Sequence, residues 1–332
     1  MKVRKRLFFI PLLIFLLMFS AILSACGKEK TANSSGQKVL RIGYQKNCPL
    51  VILKERGTLE KALKKYGYKV KWIQFQAGPE LLEALNAGSI DFGRTGDSPP
   101  IFAQASGSSL VYVAAGISKY KGSGILVKKN SGINKLSDLK GKKIGFAKGS
   151  SSHFLLIKAL EKAGLSINDI KPAYLQPGDA RAAFEKGAID AWVVWDPYTA
   201  DAQRLPNTKL LVNGAGLTSD RDFFVASSSF AHAHSDILKI VLNEVQQSSD
   251  WANHHHKETA DMLSPLLGID KQSLMIALNR RTYGVQKISN NIVKEQQDIA
   301  NTFYKLKIIP KKVTIKNNIY NIYKGNGKDD RK

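Results

Sequence analysis

The chain has 332 residues and a formal net charge of +23, from 50 Lys and Arg against 27 Asp and Glu, with 43% of its residues hydrophobic. That length is more than one core comfortably serves, so two lobes are expected. Two cysteines are too few for a disulfide framework, and lysines scattered without interleaved aromatics exclude a nucleic-acid groove, leaving a lysine-rich solvated surface that attracts anions.

The first elements are a basic cluster (Lys2, Arg4, Lys5, Arg6), an apolar run over 7–23, and Leu23-Ser24-Ala25-Cys26. In that order they read as a secretory signal peptide over 1–25, the run falling short of the roughly 20 residues a membrane-spanning helix needs. Leu-Ser-Ala-Cys resembles the bacterial lipobox, which implies that Cys26 is acylated and becomes the new first residue. One acyl chain holds a protein only reversibly, whereas several on one residue anchor it, so the expected place is the outer face of the cell membrane. Residues 26–38 are small and polar and read as a flexible tether. Cys48, the remaining cysteine, stands beside Pro49 and is expected to be a small buried residue, not a reactive thiol.

From residue 39 short apolar runs alternate with helical patterns. Strands are expected over 39–44, 69–75, 90–93, 110–117, 124–128, 143–147, 173–175 and 191–195, with helices over 58–66, 79–87, 154–163 and 180–186. Such alternation is the pattern of parallel sheets with crossover helices, an α/β fold. Beyond 235 the pattern turns helical, through Ile237, Ile240, Val241, Val245, Ile292 and Phe303. The segment 313–323 reads as a last strand, loosely packed.

An internal echo organises the middle of the chain. Ala84-Leu85-Asn86-Ala87-Gly88-Ser89-Ile90-Asp91 leads to Asp97, and Ala183-Phe184-Glu185-Lys186-Gly187-Ala188-Ile189-Asp190 leads at the same spacing to Asp196. Each reads as a helix ending at glycine, then a strand begun by Ile-Asp, which suggests two lobes of related local architecture. Both echoes run into helix-start signals, Asp97-Ser98-Pro99-Pro100 and Asp196-Pro197-Tyr198. A third start is Gly149-Ser150-Ser151-Ser152-His153. In an open parallel sheet such turns lie at the carboxyl ends of the strands, where ligands bind, and their unpaired amides can hold an oxyanion. The residues alone fit an ordinary capped turn equally well.

The runs Ile42-Gly43-Tyr44-Gln45-Lys46, Ala87-Gly88-Ser89-Ile90-Asp91-Phe92-Gly93, Thr95-Gly96-Asp97-Ser98-Pro99-Pro100, Lys140-Gly141-Lys142-Lys143-Ile144, Gly149-Ser150-Ser151-Ser152-His153 and Trp195-Asp196-Pro197 together resemble the aliphatic-sulfonate-binding proteins of ABC importers. The resemblance spans about 39–310. Taurine-, nitrate- and thiamine-precursor-binding proteins share parts of it and supply the alternative ligands. It implies a bilobal periplasmic-binding-protein-like fold of type II, two α/β lobes joined by two crossing strands. The crossings are expected near 124–128 and 222–227, giving lobe 1 as 39–126 plus 225–332 and lobe 2 as 127–224. Gln45, Gly96, Asp97 and Ser98 from one lobe, and Ser150, Ser151, Ser152, His153, Trp195 and Asp196 from the other, are implied to line the cleft. Amides near Ser98 and Ser151, with the Gln45 side chain, would hold the sulfonate, and Trp195 would cover the alkyl chain. The implied partners are an alkanesulfonate and the importer's permease and ATPase; a monomer without cofactor or metal is expected.

Asp97 and Asp196 are expected to cap helices, because a sulfonate has no proton to donate and a facing carboxylate repels it. That ranks sulfonate above phosphate. Ser150 to Ser152 beside His153 lack both a nucleophile elbow and an orienting carboxylate, which argues against a hydrolase. His254, His255 and His256 are adjacent where a metal site needs converging ligands, and read as an exposed helical stretch; His232 and His234 have no more support. Trp192 and Trp72 read as lobe packing.

Overall fold

The computed structural model describes residues 38–46 and 49–323. The expected signal peptide, the lipidated Cys26, the tether up to residue 37, and Cys48 lie outside the described residues. No helix among the described residues is long and apolar enough to cross a membrane.

Eleven strands among the described residues form two sheets. The first has the order β11-β4-β10-β3-β1-β2, from β1 (Lys38–Tyr44), β2 (Tyr68–Gln74), β3 (Phe92–Thr95), β4 (Leu110–Ser118), β10 (Arg221–Ser227) and β11 (Val285–Gln286). The second has the order β7-β6-β8-β5-β9, from β5 (Ser123–Lys128), β6 (Lys143–Phe146), β7 (Lys171–Tyr174), β8 (Ala191–Trp195) and β9 (Thr208–Asn213). Helices α1 (Pro49–Arg56), α2 (Thr58–Lys64), α3 (Gly78–Asn86) and α4 (Ser98–Ala105) belong to the first sheet's layers. With the second sheet go α5 (Ser151–Lys162), α6 (Pro177–Glu185) and α7 (Tyr198–Gln203). The chain then adds α8 (Ser228–Ala233), α9 (Ser235–His254), α10 (His256–Leu267), α11 (Lys271–Asn279) and α12 (Asn290–Lys305). On α9, Ile237, Leu238, Val241, Leu242 and Val245 are buried at helical spacing against the first sheet's core.

The echo is structural. α3 and α6 both end at a left-handed glycine, Gly88 and Gly187, each at φ 70°, the conformation glycine adopts without a Cβ penalty. The amides of Ser89 and Ala188 then return to Ala84 O and Ala183 O, both at 2.8 Å. Asp91 N–H donates to Arg41 O at 2.8 Å while the Asp91 carboxylate accepts from Arg41 N–H at 2.8 Å. In the second lobe Asp190 N–H reaches Lys143 O at 2.8 Å and its carboxylate accepts Lys143 N–H at 2.7 Å. Each aspartate thus clips the start of one strand to the end of a helix and fixes parallel pairing of β1 with β3 and of β6 with β8. Isoleucine needs glycine opposite in both: a Cβ on Gly43 would lie 2.5 Å from Ile90 Cδ1, and one on Gly145 2.4 Å from Ile189 Cδ1.

Three details depart from the expectations. The strand foreseen at 90–93 is β3, Phe92–Thr95, because Ser89 and Ile90 spend their amides closing α3. Strand β5 lies wholly in the second sheet, paired on both edges with β8 and β9, and β10 lies inside the first. The crossings are therefore 119–122, which carries the 3-10 turn Tyr120–Gly122, and 214–220, held together by Lys119 N–H on Asp220 O (3.3 Å) and Gly214 N–H on Tyr120 O (3.0 Å). The segment 313–323 is no strand: it carries a single 3-10 turn, Ile315–Asn318, and one bridge, Tyr112 to Ile319. Nor is it loose, since Val313, Ile315 and Ile322 are buried.

Asp91 also receives the Arg41 side chain, Nε at 3.0 Å, whereas the Asp190 contact is exposed and to one amide. Asp91→Ala is expected to cost about 2 kcal/mol in urea denaturation, the scale of hydrogen bonds to a charged acceptor, with Asp190→Ala costing distinctly less.

Candidate functional site: a basic cleft between the sheets

The strand ends converge. Gln45 follows β1, Gly96 and Asp97 follow β3, the turn 147–150 follows β6, and Asp196 follows β8. Gln45, Gly96, Ser150, Ser151 and Trp195 line one compartment together with Gly78, Arg94, Thr95, Pro99 and Lys119, around a small cavity of about 20 Å³. Trp195 and Asp196 line an adjoining one with Arg94, Lys119, Gly122, Ser123, Asp220 and Arg281. Six of the ten candidate residues are thus gathered on one cleft, drawn from both sheets.

The other four stand behind it. Ser98 is fully buried and donates its hydroxyl to Asp97 Oδ1 at 2.9 Å. Ser152 is buried on the inward side of α5. His153 Nδ1 accepts the Gly149 N–H at 3.3 Å and its ring packs among Phe102, Phe146 and Phe303. Burial, and then the charge of Lys148, push His153 down to about 4, so it is neutral packing. Asp97 does not cap α4 with its side chain; its φ, ψ are already helical and the carboxylate receives hydroxyls instead. Ser150 likewise turns its hydroxyl back to Ala147 O at 2.7 Å. Asp196 does cap, accepting the Ala200 N–H at 2.9 Å, with Arg280 Nη1 at 3.4 Å. The expected exposed helical stretch at His254 to His256 is instead the junction of α9 and α10. Trp192 is buried in the second sheet's core.

The floor of the cleft is an ion cluster that sequence reasoning missed. Arg94 donates to Asp222 Oδ1, Arg281 Nη2 to Asp222 Oδ2 at 2.8 Å, and Lys119 Nζ to Asp220 Oδ1 at 2.5 Å. Ser123 hydroxyl also donates to Asp220. Arg94 Nη1 lies 3.4 Å from Gln45 Oε1, which leaves the Gln45 amide N–H groups for another acceptor. Three cations directly paired with two carboxylates, in a place where all five side chains are nearly inaccessible, favour the addition of one negative charge. Lys119 is held below its usual value by burial, against the pull of Asp220. Burial, then the charge of Asp220, raise Asp97 to about 6, and burial raises Asp196 to about 7 against Arg280. One signal was available: Arg94 sits mid-strand in a fully buried β3, and such a guanidinium requires a buried partner.

Above this floor the lobes touch. A Cβ on Gly96 would lie 2.1 Å from Ser151 Oγ of the opposite lobe. Phe102 on α4 stacks near His153 on α5, and α7 meets α11 through Ser273 Oγ on Asp201 Oδ1 (3.1 Å) and Arg204 Nη2 on Gln272 Oε1 (2.6 Å). Glycine at 96 is therefore a requirement of closure.

Two α/β lobes, two crossings and a cationic cleft between strand ends define a bilobal binding protein of the periplasmic-binding-protein class. Residues 63–259 match the family model described as NMT1/THI5 like, and the chain belongs to that family. A putative aliphatic sulfonates-binding protein of Escherichia coli (strain K12) is 40% identical over 87% of this chain and 91% of its own length. One of the same description from Bacillus subtilis (strain 168) is 38% identical over 94% and 95%. The alkanesulfonate-binding protein SsuA from Xanthomonas axonopodis pv. citri, solved with bound MOPS, superposes with a TM-score of 0.82 at 39% identity, covering 85% of this chain and 98% of that one. The likeness drawn from the sequence motifs is borne out.

Two predictions follow from this geometry. Gly96→Ala is expected to leave the thermal midpoint nearly unchanged yet weaken ligand binding at least about tenfold, because the added methyl meets Ser151 only on closure, and Ser151→Gly in the same chain is expected to restore it; calorimetric titration of the three variants decides. For pH, raised carboxyls hold protons in the folded chain that the unfolded chain has released. Their contribution to stability is present in full below the ordinary carboxylate range and is lost as pH rises to about 6 for Asp97 and about 7 for Asp196. A bound anion raises both further, so binding is expected to take up protons and to weaken from pH 6 to pH 8, read by titration in buffers of differing ionisation enthalpy.

Proposed function

We propose that this chain is the extracytoplasmic receptor of an ABC importer, taking up aliphatic sulfonates in the cleft and delivering them as a sulfur source. The observation that carries the reading is the meeting of the α5 start at Ser151 with the Gln45 side chain over the Arg94, Lys119, Asp220, Asp222 and Arg281 cluster. Amides at helix starts offer donors without a mobile countercharge. The ion cluster takes one added negative charge, and Trp195, partly exposed in the cleft, offers apolar surface to an alkyl chain. Asp97 and Asp196 each commit one oxygen within the protein, to the Ser98 hydroxyl and to the Ala200 amide with Arg280, while the second oxygen of each is buried without a hydrogen-bond partner among the described residues. The ranking of sulfonate over phosphate is supported by the ligands named for the relatives.

The chain acts without catalysis or cofactor, as a monomer. It is held at the outer face of the membrane by acylated Cys26, and its closed, loaded form is what the importer's permease and ATPase complex recognises. The names of its relatives, sulfonate-binding proteins of which one is solved with a sulfonate buffer bound, support the ligand class.

Titration of the chain from residue 27, which keeps every described element, with ethanesulfonate, longer alkanesulfonates, taurine, nitrate and phosphate tests the reading. One alkanesulfonate per chain at micromolar or tighter affinity, well ahead of the rest, is expected. Trp195→Ala should weaken the longer alkanesulfonates more than ethanesulfonate. Selective binding of nitrate, taurine or a heterocycle overturns the ligand, and turnover of any of them overturns the receptor.

A further inference from the structure

The end of the first sheet opposite the cleft carries a feature that sulfonate capture does not use. Strand β2 is the sheet's outer strand, beside β1. The amide of Phe75 donates to Tyr44 O where the two strands finish, so their starts, Lys38 and Tyr68, share the far end. Around that end run Lys61 and Lys64 on α2, Lys65 just after it, and Lys69 and Lys71 on β2, all exposed. Leu59 and Leu63 hold the α2 lysines outward by filling the core, and Tyr68, Val70 and Trp72 do the same for β2. No acidic residue falls within 61–71, and no ion pair engages any of the five among the described residues.

The neighbouring acids are committed or few. Glu60 accepts the Trp72 indole at 2.6 Å and Asp91 is tied to Arg41, leaving Asp236 near the Tyr68 hydroxyl. At the tip, the turn after α2 is fixed by Tyr66 N–H on Leu63 O and Gly67 N–H on Lys64 O, both at 3.0 Å. It presents Tyr66 at 44% exposure, with Val39 at 46% close by in β1. Lysines on an outer strand also deter edge-to-edge pairing, which accounts for Lys69 and Lys71 but not for three lysines on and just after α2 or a tyrosine at the tip.

We infer that this basic, tyrosine-tipped end is a docking surface for anionic phospholipid headgroups. Lysines beside a bilayer are drawn to its negative surface potential, and tyrosine is at home at headgroup level. Lys38, the first residue of β1, stands at this same end, and eleven residues lie between it and Cys26, a length of at most roughly 40 Å, short enough for lysines and anchor to share one surface. Docked so, the receptor holds its cleft, at the other end of β1, towards solution. The argument takes only the tether's origin from the anchor reading and nothing from the ligand reading, and its test uses protein without acyl groups.

The test is flotation of the chain from residue 27 with phosphatidylglycerol-containing and with pure phosphatidylcholine vesicles, at low and high salt. Salt-sensitive binding to the first alone is expected, falling at least about tenfold in the triple variant Lys64→Glu, Lys65→Glu, Lys69→Glu. A control of equal charge change on the other lobe, Lys140→Glu, Lys162→Glu, Lys171→Glu, should keep the wild-type affinity within about twofold. Equal losses in both triples reduce the effect to net charge and overturn the inference. So does failure of the wild type to bind, or binding to soluble polyphosphate through these lysines with none to vesicles. Unchanged sulfonate titration in the Lys64, Lys65, Lys69 variant shows that its fold and cleft are intact.

Discussion

Everything in this molecule turns on the pairing of Asp222 with Arg94 and Arg281, and of Asp220 with Lys119, at the crossings between the two sheets. Lys119 begins one crossing, Asp220 ends the other, Arg94 comes from the centre of β3 and Arg281 from just beyond α11. Removing such charges from water costs several kcal/mol per ion, which the pairing offsets only with near-ideal geometry. A core of leucines at the same place would be at least as stable. What the ions provide is a hinge region whose two passes are registered against one another, and a local charge balance that an incoming anion shifts in its own favour.

Closure is the complement of that hinge. The contacts between lobes are of three kinds: backbone room at Gly96 for Ser151, aromatic packing of His153 and Phe154 against Phe102 and Phe303, and the polar seam of α7 with α11. None is large, and polar contacts at a surface contribute little each. A closed state held by small increments is one that a ligand worth a few kcal/mol can select and an importer can undo. Arg280 links the seam to the cleft, reaching Gln203 on one side and the helix-capping Asp196 on the other.

How much of this was legible in the sequence depended on whether a contact is local. The clip formed by Asp91 and Asp190 was visible because glycine, isoleucine and aspartate recur at one spacing, and the physical need behind each is short-range: a left-handed turn, a strand start, a free amide. The same spacing placed Gly96 and Trp195 at equivalent positions, and both line the cleft. Arg94 was not legible. Its equivalent in the second echo is Val193, and its partner Asp222 is 128 residues away, so no periodicity or motif joins them. Strand β9 and helix α1 were missed for a related reason: 208–213 is half-buried and mixes lysine and asparagine with its apolar residues, and 49–56 opens with proline. The segment 313–323 misled because its alternating isoleucine and valine satisfy a strand pattern, while its burial comes from packing beneath α12 with almost no ladder.

The chemistry of the floor also explains why carboxylates are tolerated beside an anion site at all. Each is engaged within the protein: Asp220 and Asp222 pair with cations, Asp97 takes the Ser98 hydroxyl and Asp196 an amide and a guanidinium. The second oxygens of Asp97 and Asp196 are buried without a hydrogen-bond partner among the described residues, and burial raises the two groups to about 6 and about 7. A carboxyl so raised carries its proton through part of the neutral range, and in that form it no longer repels an anion. A bound oxyanion favours the protonated form further and so removes the charge that would oppose it. The same burial that costs these carboxylates their solvation is what lets them stand beside an anion.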